Sequence, residues 1–182
     1  GSSATDDMTE GVLITSLREN GRDNGEGGVK QATSSVGSTA AGLYMAVSEA
    51  GNLPTSGNEY NVNAAAGYFP FANGWIGGWA LNSVNNGPIT SLIGSPGLAL
   101  GTHFIDNLNG TYTVDLTSLG INSQTDGVLL VAGAKDEDNF ALTQANLDGT
   151  WNVICHDNGA DATTYETDPV AFVFVPKSSG VV

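Results

Sequence analysis

Short apolar runs separated by polar, glycine-rich stretches recur along the whole chain. Tyr60, Val62 and Ala64 alternate with Asn61 and Asn63, which is the period of two that a strand with one solvated face requires. No window of helix length places apolar residues at i, i+3, i+4 and i+7, and glycine recurs too often for a helix to form at low cost. The pattern therefore predicts a fold built from strands.

The breaks between these runs carry turn chemistry. Six Asn-Gly and two Asp-Gly pairs punctuate the chain, and a type I′ hairpin turn needs residues that tolerate positive φ at both central positions. Residues 103–108 should pair with 111–116 across Asn109-Gly110, and residues 140–147 with 150–155 across Asp148-Gly149. The prediction is an all-β fold, a single β-sandwich of jelly-roll or Greek-key type, with about ten strands joined by such turns.

A sequence echo links these two hairpins. Residues 107–114, NLNGTYTV, recur 39 residues later as NLDGTWNV at 146–153. In both copies the aromatic residue and the valine point to one face, while Thr or Asn points to the other. The two hairpins are therefore predicted to have the same structure and to occupy equivalent positions in the fold.

Other segments are assigned by the same patterns. Residues 12–14 and 43–47 are strand candidates, and Gly74 is expected to turn the aromatic stretch of residues 64–81 back on itself. Residues 85–101, which contain two prolines, are interpreted as an ordered loop with one helical turn. Residues 170–175 are apolar on both faces, which is typical of a strand in the middle of a sandwich or in a subunit interface.

Size and charge limit the classes of function. A chain of 18.6 kDa is large enough for one sizeable core, so residues 11–177 are predicted to form a single domain between a flexible or partner-ordered segment at 1–10 and a tail at 178–182. The net charge of −14 repels phosphate backbones and anionic lipid, which argues against nucleic-acid binding. No apolar run is long enough for a membrane helix, so membrane insertion is not expected.

The surface composition predicts a location. Charged residues make up 13% of the chain, compared with about 25% in an average soluble domain, while Ser, Thr, Asn and Gly are abundant. Such neutral polar surfaces favour a secreted protein that is extracellular or surface-associated. The single cysteine, Cys155, cannot form an intrachain disulfide; it continues the inward series of Trp151 and Val153 and is predicted to be a core residue.

Three acidic loops are candidate calcium sites. Calcium binds several oxygen ligands on flexible loops, and the candidate ligands are Asp23, Asp136, Asp138, Asp157 and Asp161. The spacing matches no EF-hand. The alternative is that these loops are solvated turns in which Asn and Asp serve the backbone geometry.

Two tryptophans are candidate ligand-binding residues. Trp75 and Trp79 lie four residues apart with Gly77 between them, so on an extended strand they would share a face. An exposed pair of this kind would form a stacking platform for sugar rings. The alternative is that the pair fills a core or a subunit interface, since tryptophan is usually buried.

Three functional hypotheses remain. The first is a non-enzymatic extracellular module that acts by association, as a homo-oligomer or polymer in a surface layer, filament or fibre, or as an adhesion head. The second is a carbohydrate-binding module that takes a polysaccharide or cell-surface glycan, with calcium-stabilised loops. The third is a polysaccharide hydrolase or lyase with scattered carboxylates, but the nineteen acidic residues do not single out a pair.

Overall fold

A computed structural model describes residues 8–17, 30–36, 43–49, 64–84, 86–134, 140–156 and 165–177. These residues form twelve strands and two single-turn 3₁₀ helices, Phe71–Asn73 and Thr117–Leu119. The strands are β1 Gly11–Leu17, β2 Lys30–Val36, β3 Leu43–Glu49, β4 Ala64–Pro70, β5 Ile76–Asn82, β6 Ile89–Gly94, β7 Phe104–Asp106, β8 Thr111–Val114, β9 Gly127–Gly133, β10 Phe140–Ala145, β11 Trp151–His156 and β12 Val170–Pro176.

The strands form two four-stranded and two two-stranded antiparallel sheets. Sheet I has the order β6-β5-β12-β9, and sheet II has the order β10-β11-β8-β7. Strand β1 pairs with β4 in a sheet that we call the outer sheet, and β2 pairs with β3. In sheets I and II a strand lies beside the one three positions later in the chain, β9 beside β12 and β8 beside β11, as Greek-key connections require. The predicted all-β sandwich is confirmed.

Sheets I and II enclose the main core, which we call the inner core. Sheet II contributes Tyr112 and Trp151, and sheet I contributes Phe172 and Phe174, all buried. Phe104 of β7 stacks on Phe172 across the two sheets, with ring centroids 5.5 Å apart. Burial of large aromatic rings dominates the energetics of such a core.

Sheet I is also partly covered on its other face. Val12 of β1 packs with Trp79 of β5 and Ala171 of β12 in a second apolar cluster, which we call the outer cluster. Alternation along β12 sends Val170 and Phe172 inward and Ala171 outward. The prediction that residues 170–175 form a strand in the middle of the sandwich is therefore confirmed, and β12 lies between two layers.

The echoed hairpins form as predicted and are related by an approximate two-fold axis. Strand β8 pairs with β11 so that Thr113 lies opposite Asn152, and these two residues are each other's equivalents in the 39-residue echo. Because the strands are antiparallel, the two hairpin tips lie at opposite ends of sheet II.

The tips themselves differ from the expected two-residue turns. Asn107 N–H donates to Thr111 O at 3.1 Å, and Asn146 N–H donates to Thr150 O at 2.8 Å, so each loop has three residues. Gly110 and Gly149 have positive φ, while the non-glycine residues with positive φ in the described chain are Asn86 and Leu108. A three-residue loop with a left-handed glycine replaces the type I′ turn.

Two further expectations need correction. The interpretation of residues 85–101 as a loop is wrong for Ile89–Gly94, which form β6 at the edge of sheet I; Asp106 accepts the Ile89 N–H at 2.8 Å and so anchors the start of this strand. Gly74 does turn the chain, with φ of 81°. However, β4 and β5 are not paired with each other, because the chain passes there from the outer sheet to sheet I.

Candidate functional site

The two candidate tryptophans have different environments, and Trp79 is not a surface platform. Its side chain is fully buried in the outer cluster, and its indole Nε1–H donates to Gly11 O at 2.9 Å. The outer sheet covers it, which no local sequence pattern indicates. Trp75 precedes β5 and is partly exposed; it packs edge-on against Phe69, with centroids 5.0 Å apart.

Trp75 borders a surface depression of about 320 Å³. Its neighbours there are Gly74, Ile76, Phe174 and Pro176 together with Asn73. This depression is mostly apolar. Trp75 and Trp79 therefore do not form one surface, and a sugar platform made of both is excluded.

The five candidate calcium ligands, Asp23, Asp136, Asp138, Asp157 and Asp161, lie outside the described residues. Within the described part of the chain, no three His, Cys, Asp or Glu side chains are grouped closely enough to hold a metal ion.

Cys155 is a buried core residue, as the inward series predicted. Burial raises the pKa of its thiol, and the nearby Asp168 carboxylate raises it further, so the reactive thiolate is disfavoured. Tyr112 lies beside it and donates its hydroxyl to Asp168 O at 2.8 Å; burial likewise raises the pKa of that phenol. These groups join β8 to the segment that leads into β12.

His103 also has a structural role. The Ala99 N–H donates to its Nδ1 at 3.0 Å, and its Nε2 lies 3.2 Å from Ser118 Oγ. Through its two ring nitrogens, His103 therefore links the segment before β7, at Ala99, to Ser118 in the second 3₁₀ helix.

A larger groove lies where the outer sheet meets the turn after β4. It has a volume of about 540 Å³ and is lined by Thr9, Glu10, Tyr68, Pro70, Phe71, Ala72 and Pro96. Volumes of this size are typical of small-molecule sites. We call it the Tyr68 groove, because Tyr68 is its exposed aromatic residue, with 39% of its surface accessible.

The Tyr68 ring lies directly over the backbone of Gly11. A Cβ atom on Gly11 would come within 2.7 Å of Cε2, Cζ and the hydroxyl of Tyr68, so only glycine permits this ring position. The two residues are near each other in the β1–β4 pairing, where Tyr68 lies opposite Leu13 and Pro70 lies opposite Gly11. Pairing between strands so far apart in sequence could not be inferred from the local patterns.

Hydrogen bonds hold the walls of the groove. Phe71 N–H donates to Glu10 O at 2.8 Å, and Gly74 N–H donates to Phe71 O at 2.9 Å. Beneath the groove, the Trp79 indole binds the Gly11 carbonyl. The predicted ligand residue Trp79 thus supports the groove from the buried side and does not reach its surface.

Comparisons with known proteins give no relative of this chain. No family model matches it, and neither a curated protein nor a solved structure matches it. None of the helices in the described residues is long and apolar enough to cross a membrane.

Proposed function

We propose that this chain is a non-enzymatic β-sandwich module of an extracellular or surface-associated structure, and that it acts by associating with further copies of itself. The observation that carries the proposal is an exposed apolar strip on β9. Val128 is 55% exposed and Leu130 is 38% exposed. Both are large apolar side chains on the edge strand of sheet I.

The strip continues onto the neighbouring strand. Val128 lies opposite Val175 of β12, which is partly exposed, and Leu130 lies opposite Val173. Strand β9 has the sequence GVLLVAG and contains no charged residue. Strands β10 and β2 also lie close to β9, so the proposed contact is made by the outward side chains of the strip and not by its backbone edge. A contiguous exposed apolar surface favours association with another chain.

The composition supports the same proposal. The low charged fraction means that few charges must be desolvated when two copies meet, and salt screens the repulsion that the net charge of −14 causes between them. A second copy is the proposed partner because it brings the same uncharged strand to the contact, as a two-fold interface requires.

The test is the oligomeric state of the purified chain and of a Val128→Lys variant, measured by sedimentation velocity over a hundredfold concentration range, with and without calcium. The wild type should form dimers or larger species, and the lysine should abolish them. The control is Thr90→Lys, which places the same charge at an exposed position of β6, the opposite edge of sheet I.

A wild type that stays monomeric at every concentration contradicts the proposal. Equal loss of association in both variants would also contradict it, because a general charge effect and not the β9 strip would then be responsible. Electron microscopy of the associated wild type distinguishes closed particles from filaments.

A further inference from the structure

We propose that the Tyr68 groove binds one or two rings of a neutral saccharide. This inference is separate from self-association, because the groove lies on the outer sheet and not on β9. The sequence suggested that the chain binds a saccharide through Trp75 and Trp79; this inference retains a saccharide ligand but places the site at Tyr68.

The groove has the apolar platform that sugar recognition needs. One face of a pyranose ring presents C–H groups, which pack against an aromatic face. The Tyr68 ring is accessible and is supported by the flat backbone of Gly11. Phe71, Pro70 and Pro96 extend the apolar lining on either side.

The rim supplies polar groups. The Glu10 carboxylate offers two acceptor oxygens for sugar hydroxyls, and Thr9 lies beside it in the lining. A charged acceptor makes hydrogen bonds about twice as strong as a neutral one. A few directed polar groups beside an apolar surface are typical of small-molecule sites.

The framework of the site is held in place before any ligand binds. The Glu10 carbonyl is bound by the Phe71 N–H, and the Gly11 carbonyl is bound by the buried Trp79 indole. Two consecutive backbone carbonyls, below the rim residue Glu10 and below the Tyr68 ring, are therefore fixed. Preorganisation of this kind reduces the entropy lost on binding.

The charge of the chain selects among saccharides. With a net charge of −14 and Glu10 as the charged residue of the lining, sulfated and uronic-acid glycans are repelled. A proline-rich peptide is the other ligand that aromatic and proline surfaces recognise. Proline-rich peptides bind grooves lined by several exposed aromatic side chains. In this groove Tyr68 is the aromatic residue with substantial exposure.

The first experiment is a titration of the ¹⁵N-labelled chain with cellohexaose, xylohexaose, mannohexaose and chitohexaose, followed by amide chemical shifts and calorimetry. Polygalacturonate and a proline decamer are the comparison ligands. At least one neutral oligosaccharide should shift the amides of residues 9–11, 68, 69, 71 and 72, which lie in or beside the groove, and leave those of β8 and β11 unchanged.

The second experiment uses variants with the saccharide that binds. Tyr68→Ala should weaken binding at least tenfold, Tyr68→Phe should retain it within threefold because the ring remains, and Glu10→Gln should weaken it a fewfold. Gly11→Ala should also weaken binding, because the added methyl displaces the ring. The matched control is Tyr165→Ala, which removes a tyrosine that is 51% exposed outside the groove and should leave binding unchanged.

Thermal unfolding of each variant separates loss of binding from loss of folding. The proposal is overturned if none of the four neutral oligosaccharides binds, if only polygalacturonate or the proline decamer shifts the groove amides, or if Tyr68→Ala binds as well as the wild type while remaining folded. A folded Tyr68→Phe variant that loses binding as completely as Tyr68→Ala would also contradict it, because stacking would not be the source of affinity.

Discussion

The inner core and the outer cluster pack on opposite faces of sheet I, but they are built differently. The inner core contains several large rings, including Phe104, Phe172 and Trp151, from both sheets. Phe172 and Trp151 lie on β12 and β11, strands that are paired on both sides. In the outer cluster Trp79 is the one fully buried ring, with smaller buried groups such as Val12 and Ala171 around it and the partly buried Phe71 packed against them.

Each layer also has one buried hydrogen bond from an aromatic side chain to a distant backbone carbonyl. Tyr112 binds Asp168 O in the inner layer, and Trp79 binds Gly11 O in the outer layer. The difference in packing teaches that the inner core determines global stability, while the outer cluster positions β1 and the surface built on it. The exposed Tyr68 groove belongs to the less heavily packed layer.

The largest effect is expected in the inner core. Trp151→Ala should lower the free energy of unfolding by about 3 to 5 kcal/mol, because it removes a buried ring and leaves a cavity between the sheets. Urea unfolding followed by circular dichroism measures the change. A loss below about 1 kcal/mol would be typical of surface substitutions and would contradict the assignment of Trp151 to the core.

The next largest effect is expected where β5 packs on β12, the strand that lies between the inner core and the outer cluster. A Cβ on Gly77 would lie 2.4 Å from Phe172 O and 2.9 Å from Val173 Cα, both backbone atoms of β12. Gly77→Ala should therefore cost about 3 kcal/mol, since the strands must separate. Gly97→Ala is the control: it meets open space but has φ of 95°, and should cost only about 1 kcal/mol. Equal costs would show that β5 and β12 are not closely packed at Gly77.

A smaller and local effect is expected in the outer cluster. Trp79→Phe removes the hydrogen bond to Gly11 and part of the ring, and should cost about 1 to 2 kcal/mol. Hydrogen exchange should become faster in β1 while β8 and β11 keep their protection. Uniformly faster exchange across all of these strands would mean that the two layers are not energetically distinct.

The smallest effect concerns the second hairpin tip. The Thr150 hydroxyl and N–H hold the pKa of Asp148 below its usual range, so this group stabilises the fold above about pH 4, and that contribution is lost as the pH falls through the folded pKa. Asp148→Asn copies the residue found at the other tip, Asn109. The variant should remain folded at pH 7 and show a shallower loss of stability in acid. A steeper acid transition in this variant would reverse the sign of the effect and contradict the hydrogen-bond assignment.

The sequence patterns predicted the parts of the fold in which local chemistry decides structure. The echo at 107–114 and 146–153 located both hairpins, and the doubly apolar run at 170–175 identified a strand covered on two faces. The turn type was wrong because Asn109 and Asp148 use their side-chain oxygens to bind Thr111 and Thr150. These hydrogen bonds satisfy the Thr111 and Thr150 donors at each loop, and neither Asn109 nor Asp148 has a positive φ.

The candidate site could not be located from the sequence, because it depends on contacts between distant strands. Burial of Trp79 and exposure of Tyr68 both follow from β1 crossing the outer face of sheet I, and residues 11 and 68 are far apart in the chain. A period-two pattern indicates which residues share a face but not which face another layer covers. The sequence therefore drew attention to the aromatic stretch of residues 64–81, but it did not indicate that Trp79 is buried and Tyr68 exposed.

The central claim is that the outer sheet lies on sheet I and is fixed there by Trp79. The exchange rate of the Trp79 indole N–H, assigned by comparison with Trp79→Phe and measured by two-dimensional NMR in deuterated buffer, tests it most directly. The claim predicts that this proton exchanges slowly, like the central amides of β12. Exchange within minutes, at the rate of an exposed indole, would contradict it.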